Sequence, residues 1–210
     1  GAFDDSIRHS ITKMAHLHFT STETYRQRVI QLGEQPDRVF NCGAPGLENI
    51  DRLTLLELEE LEKIVGIKFG DRNLLVTWHP VTLEPGTTRQ SFQVLLNALD
   101  ELSDTKVIFT KANADTDGRA INRMIDEYVA GRPDEAVSHI SLGQLHYLSV
   151  LKYVDGVVGN SSSGIIEAPL MKKGSINLGS RQSGRQLSKS VINCEFKKKD
   201  IKNSLIKLFS

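Results

Sequence analysis

From residue 71 onward, short apolar runs alternate along the chain with amphipathic segments of helical period. Between the runs, this period predicts helices over residues 88–102, 118–130 and 143–151, and a further helix after the fourth run. Such alternation indicates an α/β fold, a Rossmann-like parallel sheet covered by helices on both faces. The predicted buried strands are Leu74–Trp78, Lys106–Thr110, Val137–Ile140, Asp155–Val158 and Ser175–Leu178.

The chain before residue 71 is organised differently. Helical patterns cover about residues 5–16 and 22–32, and Arg38–Cys42 is a strand candidate. A Gly/Pro cluster at residues 43–46 predicts a domain boundary, and the Leu- and Glu-rich residues 53–65 predict a solvated helix. The chain opens without methionine and stops inside an amphipathic pattern, so we expect it to be part of a longer protein.

Composition and charge narrow the function classes. Lys plus Arg and Asp plus Glu both number 26, so no overall field favours nucleic acid or a membrane surface. Cys42 and Cys194 form neither a disulfide framework nor metal-ligand spacing, which fits a cytoplasmic protein. No apolar run approaches the ~20 residues that span a bilayer. We therefore expect neither a nucleic-acid partner nor a membrane partner.

The segment that follows the fourth strand is rich in glycine and serine. The loop Gly159–Gly164 leads into a predicted helix, with Glu167 about one turn along it. A helix N-terminus offers unpaired N–H groups and partial positive charge, and the two glycines leave room, so the loop predicts an anion site. Glu167 is placed to accept hydrogen bonds from a ribose. Alternatively, Ser161 or Ser162 only caps the helix and Glu167 lies on its surface.

Polar residues also follow the other predicted strands. In parallel sheets, ligands bind at the carboxyl ends of the strands, where the strand order reverses, so these residues are expected to form one site. An imidazole, an amide, hydroxyls, a carboxylate and a guanidinium suit a nucleoside diphosphate. GxGxxG and Walker motifs are absent, which argues against a dinucleotide cofactor and an ATPase. The strand-end residues are His79, Asn113, Asp115, Ser141, Ser161, Ser162 and Arg181.

Several segments match one known family in its own order, over nearly the whole chain. They are Phe3–His9 with Ile11–Lys13, His79–Thr82, Asn113–Asp115, Gly159–Gly164 with Glu167, and Ile176–Gln182 with Gly184 and Arg185. The chain resembles the UDP-N-acetylglucosamine 2-epimerases, specifically their hydrolysing branch, which opens sialic acid biosynthesis. The Asp-Asp-x-Ile-Arg-His pattern at residues 4–9 is the most discriminating piece, because the non-hydrolysing branch typically has Glu-Glu-x-Asn-Arg there.

The resemblance implies a GT-B-type fold, with two Rossmann-like domains facing across a cleft. Residues 1–42 would be a remnant of the N-terminal domain, and residues 43–195 the C-terminal, UDP-binding domain. Residues 196–210 would form a helix that crosses back toward the N-terminal domain.

The resemblance also implies roles for the strand-end residues. Ser161 and Ser162 would hold the diphosphate, and Glu167 would hold the ribose. His79 would lie against the phosphates, and the backbone near Ile140 would face the uracil. Without the resemblance, Arg181 could instead be a structural residue that binds carbonyls, and His79 could be a turn residue. The residues implied to bind UDP are His79, Asn113, Ile140, Ser161, Ser162, Glu167 and Arg181.

The implied chemistry removes the proton at sugar C2 and expels UDP from C1, giving a 2-acetamidoglucal. Water then adds with the opposite configuration and releases N-acetylmannosamine. Asp4 and His79 are the implied catalytic residues, with Arg8, His16 and His18 as possible supports, of which at most one histidine is expected near the cleft. Asp4 could instead be a first-turn acid of its helix, and Arg8 could form a surface ion pair. No metal or other cofactor is expected.

Other functions remain open at this stage. A non-hydrolysing epimerase would return UDP-N-acetylmannosamine, and a GT-B glycosyltransferase would pass the sugar to an acceptor. A third possibility is a non-catalytic nucleotide-binding module. Because the family's N-terminal strands are missing, we expect these residues alone to bind UDP but to be poorly active or inactive. Relatives suggest a homodimer or homotetramer.

Overall fold

The computed structural model describes residues 4–44, 50, 52–80, 88–112 and 117–210, with only the backbone of residues 4 and 5. Contacts divide the chain into two units, Ala2–Thr54 and Leu55–Ser210. The division falls later than the boundary predicted after residue 42. The chain from Leu55 belongs to the second unit because the Leu56 N–H donates to Ser149 Oγ at 3.0 Å and the Leu56 carbonyl accepts from Tyr153 at 3.2 Å.

The first unit contains a β-α-β arrangement preceded by a helix. Strands β1 and β2 pair in parallel across the helix α2, and the Thr22 hydroxyl caps α2 by accepting from the Tyr25 N–H at 3.2 Å. Phe19 and Phe40 lie opposite each other and stack at 5.7 Å between ring centroids, although both remain largely exposed. The elements are α1 (Asp4–Met14), β1 (His18–Thr20), α2 (Glu23–Gln31), a 3-10 turn (Pro36–Arg38) and β2 (Val39–Asn41).

The second unit alternates strands and helices, as the sequence predicts. Its first elements are α3 (Leu58–Val65), β3 (Arg72–Thr77), α4 (Thr88–Leu99), β4 (Thr105–Thr110), α5 (Gly118–Ala130), β5 (Ala136–His139) and α6 (Gly143–Tyr153). They are followed by β6 (Gly156–Gly159), a 3-10 turn (Ser162–Gly164), α7 (Glu167–Leu170), β7 (Gly174–Leu178), β8 (Val191–Cys194) and α8 (Lys198–Leu208).

Six strands form one sheet in the order β5-β4-β3-β6-β7-β8, and every neighbouring pair is parallel. The strand order reverses between β3 and β6, so the crevice that binds ligands in such sheets opens at their carboxyl ends. Alternate residues of β3 face opposite sides: Leu74 and Val76 pack with Phe92 in one core, while Leu75 is equally buried on the other face. The predicted α/β fold is confirmed.

One helix begins later than its sequence pattern indicates. Residues 53–65 predict a helix, but α3 begins at Leu58, because the backbone of Leu56 is bonded to α6 instead of continuing a helical turn. The helix is also less solvated than predicted, since Leu61 and Val65 are buried.

The last helix, α8, packs within the second unit. The side chain of Leu208 fills the space beside two glycines of the sheet: an added Cβ would lie 2.6 Å from Leu208 at both Gly156 and Gly174. Two lysines of α8 also reach Glu101, just beyond α4, with Nζ–carboxylate distances of 2.6 Å for Lys198 and 2.9 Å for Lys202. Among the described residues, no helix combines the length and hydropathy that a membrane span requires.

We expect Glu101→Gln to weaken the attachment of α8 in a pH-dependent way. The hydrogen bond from Lys198, and then that from Lys202, lowers the pKa of Glu101 from 4.5 to about 2. The pKa of Glu101 is lower in the folded than in the unfolded state, so ionised Glu101 stabilises the fold. This stabilisation is complete above about pH 4.5 and is lost as the pH falls toward about 2. The midpoint of thermal unfolding should therefore differ between wild type and variant at neutral pH, and the difference should narrow toward about pH 3 and in high salt.

The matched control is Glu59→Gln, which changes an exposed glutamate on α3 and should leave this pH dependence intact. A Glu101→Gln effect that is constant across this pH range would contradict the proposed ion-pair contribution.

Candidate functional site

The crevice between β3 and β6 is closed at its base by one buried side chain, Asn160. Its Oδ1 accepts from the His79 N–H at 2.8 Å, and its Nδ2 donates to the His79 carbonyl at 2.7 Å. The Asn160 N–H donates to the Thr77 carbonyl at 3.2 Å. These three bonds tie the end of β6 to the end of β3, and Asn160 is fully inaccessible to solvent.

The Asn160 carbonyl extends this junction to the loop after β7. It accepts from Gln182 Nε2 at 2.7 Å and from Arg181 Nη1 at 3.1 Å. At least one guanidinium N–H of Arg181 therefore supports the loops themselves, as the structural alternative for this residue requires. The binding of UDP by Arg181 stays a prediction.

One of the two glycines of the loop is required by the packing of the chain. Gly159 has φ +145°, and an added Cβ would lie 1.9 Å from the Thr77 carbonyl oxygen, so any side chain there would force β3 and β6 apart. At Gly164 an added Cβ would face Val157 and Ser175, at 3.7 and 3.8 Å, on the sheet side. These are ordinary van der Waals distances, so a side chain would fit at Gly164. That both glycines leave room for an anion stays a prediction.

The serine loop, residues 161–164, does not lead into one continuous helix. A 3-10 turn over Ser162–Gly164 is followed by the separate four-residue helix α7, which begins at Glu167. The Ser175 hydroxyl donates to the Gly164 carbonyl at 2.5 Å, the carbonyl that a continuous helix would offer to the N–H of Ala168. The expected contribution of a helix macrodipole is therefore small, because so few peptide dipoles are aligned.

Individual donors take the place of the helix dipole. The Ser161 hydroxyl caps the turn by accepting from the Ser163 N–H at 3.4 Å. Within the described part of the chain, no hydrogen bond engages the N–H groups of Ser161 and Ser162 or the hydroxyl of Ser162. These groups can donate to an anion that approaches the loop.

Glu167 supplies the complementary acceptor. Its Oε2 is buried and has no hydrogen-bond partner among the described residues. A buried carboxylate oxygen without a donor is costly, and a ligand hydroxyl would satisfy it. Unused hydrogen-bond donors and an unsatisfied carboxylate oxygen therefore lie within a few residues of each other.

A tyrosine that the sequence analysis did not select also reaches the serine loop. The Tyr147 hydroxyl, on α6, donates to Ser163 Oγ at 2.6 Å, and Ser163 Oγ donates to Ser161 Oγ at 3.1 Å. Tyr147 and Ser163 are 16 positions apart, so no local sequence motif indicates their contact.

Other predicted residues lie at the same edge of the sheet. His79 is buried just after β3, with its backbone held by Asn160. Ile140 directly follows β5 and is 84% exposed. Asn113 and Asp115 lie outside the described residues.

The remaining predicted residues lie in the first unit. The backbone of Asp4 begins α1, and Arg8 lies on an exposed part of that helix. His18 is buried in β1 with its Nε2 3.0 Å from Glu34, whereas His16 precedes the strand and is exposed. The hydrogen bond from Lys13, and then that from His18, lowers the pKa of Glu34. His18 thus has a carboxylate partner within its own unit.

The known sequences that match this chain point to one protein family. A family model described as UDP-N-acetylglucosamine 2-epimerase matches residues 1–210. A Campylobacter jejuni protein named GDP/UDP-N,N'-diacetylbacillosamine 2-epimerase (hydrolyzing) is 44% identical over 195 residues, which are 93% of this chain and 51% of that protein. The Escherichia coli polysialic acid biosynthesis protein P7 is 42% identical over 203 residues, 95% of this chain and 50% of that protein. The chain spans about half the length of these curated relatives.

Solved structures share the fold. A Staphylococcus aureus MnaA–UDP complex superposes with a TM-score of 0.70 at 13% identity, over 95% of this chain and 52% of that one. A Methanocaldococcus jannaschii UDP-GlcNAc 2-epimerase in complex with UDP-GlcNAc and UDP gives 0.69 at 13% identity, over 94% and 55%. The chain thus corresponds to half of such a fold, as predicted.

We expect Asn160→Asp to destabilise the protein by about 2–4 kcal/mol, because a carboxylate cannot donate to the His79 carbonyl and would be buried with its charge. The free energy of unfolding in urea would measure the loss. Asn97→Asp is the control: Asn97 is exposed on α4, and its Oδ1 accepts from Gln93, a bond that a carboxylate retains. Equal losses for the two variants would refute the importance of the Asn160 junction.

Proposed function

The chain belongs to the UDP-N-acetylglucosamine 2-epimerase family, and on this basis we propose that it carries the UDP-binding half of a hydrolysing 2-epimerase. The full-length protein would convert UDP-N-acetylglucosamine and water to N-acetylmannosamine and UDP.

One observation carries the proposal: unused hydrogen-bond donors of the serine loop lie close in sequence to the orphaned carboxylate oxygen of Glu167. A nucleoside diphosphate presents the complementary pair of groups. Its phosphate oxygens accept from N–H and hydroxyl donors, and its ribose hydroxyls donate to a carboxylate. In our proposal Ser161 and Ser162 hold the diphosphate and Glu167 holds the ribose.

Other residues at the crevice would complete the contacts. His79 follows β3 at the point where the sheet order reverses, and we assign it to the phosphates of the leaving group. Arg181, which donates to the Asn160 carbonyl at 3.1 Å, is assigned to the UDP contacts as well. The backbone around Ile140, an exposed residue, would face the uracil, and Asn113 would complete the set.

The proposed chemistry removes UDP without a metal. A base takes the C2 proton while the C1–O bond breaks, so that the electron pair of the C2–H bond forms the C1–C2 double bond of 2-acetamidoglucal. Donors on the diphosphate stabilise the charge that develops on the leaving group. Water then adds its hydroxyl to C1 and a proton returns to the opposite face of C2. Asp4 is our candidate for acid–base work in this sequence.

Hydrolysis is favoured over re-addition of UDP by two observations. Residues 4–9 carry the Asp-Asp-x-Ile-Arg-His pattern, and the Campylobacter jejuni relative is itself named a hydrolysing epimerase. A Legionella pneumophila relative, 33% identical over 195 residues, is named UDP-N,N'-diacetylbacillosamine 2-epimerase (hydrolyzing). A second candidate substrate is therefore a UDP-linked sugar that carries a further acetamido group.

We expect this chain to bind UDP, and Ser162→Ala and Glu167→Ala each to weaken binding roughly tenfold or more, as loss of a hydrogen bond to a charged group requires. Calorimetry with UDP and 2′-deoxy-UDP would separate the two roles. Ser162→Ala should weaken both ligands equally. Glu167→Ala should weaken UDP more strongly, because the ribose hydroxyl that it would bind is absent from the deoxy analogue.

Ser210→Ala serves as the control, since this exposed residue lies outside the serine loop and its hydroxyl donates to the Lys207 carbonyl at 2.9 Å. If the folded chain and the full-length protein both fail to bind UDP, the site assignment is wrong.

In the full-length protein, we expect UDP-N-acetylglucosamine to yield free N-acetylmannosamine. In D₂O the product should carry deuterium at C2, because the proposed mechanism returns a solvent proton there. Proton NMR of the reaction, run in parallel with the diacetylated substrate, would identify product and preferred sugar. Accumulation of UDP-N-acetylmannosamine would point to the non-hydrolysing reaction, and transfer to an added acceptor to a glycosyltransferase.

A further inference from the structure

We propose that Tyr147 is a positioning residue, which sets the direction of the hydrogen bonds in the serine loop so that Ser161 presents its hydroxyl proton to the bound diphosphate. The inference rests on the proposed function of this loop. It assigns a role to a residue of α6, an element outside the loop.

The hydrogen bonds run in one direction, from α6 into the loop. Tyr147 donates to Ser163 Oγ at 2.6 Å, and Ser163 Oγ donates to Ser161 Oγ at 3.1 Å. The Ser163 N–H donates to the same Ser161 oxygen at 3.4 Å.

This direction of hydrogen bonding leaves the Ser161 hydroxyl with only its proton to offer. A serine hydroxyl has one proton to donate and two lone pairs that accept. Ser163 uses both lone pairs of Ser161, so the remaining hydrogen-bonding capacity of Ser161 is its proton. That proton needs an acceptor, and phosphate oxygens are acceptors only.

Removing the tyrosine hydroxyl would release this constraint. Ser163 Oγ would then be free to accept from Ser161, and the Ser161 proton would turn inward, away from the ligand. Tyr147 therefore sets the direction of this series of hydrogen bonds, because its hydroxyl donates to Ser163 at the end farthest from the ligand.

The environment keeps Tyr147 protonated. Burial raises the pKa of Tyr147 to about 12; the hydrogen bonds to Ser163 and Thr77 oppose this shift in part, and the charge of Glu167 reinforces it. Its helix is fixed by Leu148, Val150 and Leu151, which are buried in the core. The donor is thus available and positioned over the whole neutral range.

The test compares Tyr147→Phe with wild type for UDP and for uridine, which lacks phosphates. We expect UDP to bind about 3- to 10-fold more weakly, the effect of one net hydrogen bond, while uridine binding is unchanged. Calorimetry measures UDP, and ligand-detected NMR measures uridine. Tyr153→Phe is the matched control on the same helix, because its hydroxyl donates to the Leu56 carbonyl outside the loop, and it should change neither affinity.

A double-mutant cycle provides the second measurement. Tyr147→Phe and Ser163→Ala interrupt the same chain of bonds, so their effects on UDP affinity should not add. Tyr147→Phe and Ser162→Ala should add, because Ser162 takes no part in the chain.

The outcomes distinguish the two proposals. If wild type binds UDP and Ser162→Ala weakens it, but Tyr147→Phe has no effect or weakens uridine equally, the positioning role is overturned and the proposed function stands. If neither the folded chain nor the full-length protein binds UDP, the proposed function fails, and the role of Tyr147 fails with it.

Discussion

The pairing of the Asn160 amide with both backbone groups of His79 is the interaction on which the rest of the site depends. It joins the ends of β3 and β6, the two strands between which the sheet order reverses. The Asn160 carbonyl then holds Gln182 and Arg181. One buried residue thus fixes three loops relative to each other, and the loops carry the residues proposed to bind the ligand.

The glycines and the serines of this region have different structural roles. Gly159 lets the backbone of β6 come against the Thr77 carbonyl, and Gly164 packs toward the sheet. The serines satisfy the turn and offer the remaining donors to solvent. Because the turn is short, the proposed affinity for an anion would come from these individual donors rather than from a long helix dipole. The direction of each hydroxyl would then matter correspondingly more.

Most of the strands and helices were predictable because their signals are local. The period of residues 118–130 predicts α5 at its observed bounds, and buried valines predict β6. Where backbone groups are taken by distant partners, local patterns fail. Ser149 and Tyr153 hold Leu56 and delay α3, and Ser175 takes the carbonyl of Gly164 and divides the predicted helix. Asn160 and Tyr147 escaped selection for the same reason, since only the folded chain shows their partners.

The parallel topology has a consequence for how the protein is made. His79 and Asn160 are separated by 81 positions, and β3 is translated well before β6. While the ribosome adds β4 and β5, β3 can pair on one side only, and its other edge is exposed to other nascent chains. The crevice opens at the carboxyl end of that edge, between β3 and β6. The crevice between the two strand ends is therefore assembled late in folding, and a chaperone that shields this edge would have to leave before β6 can pair with β3.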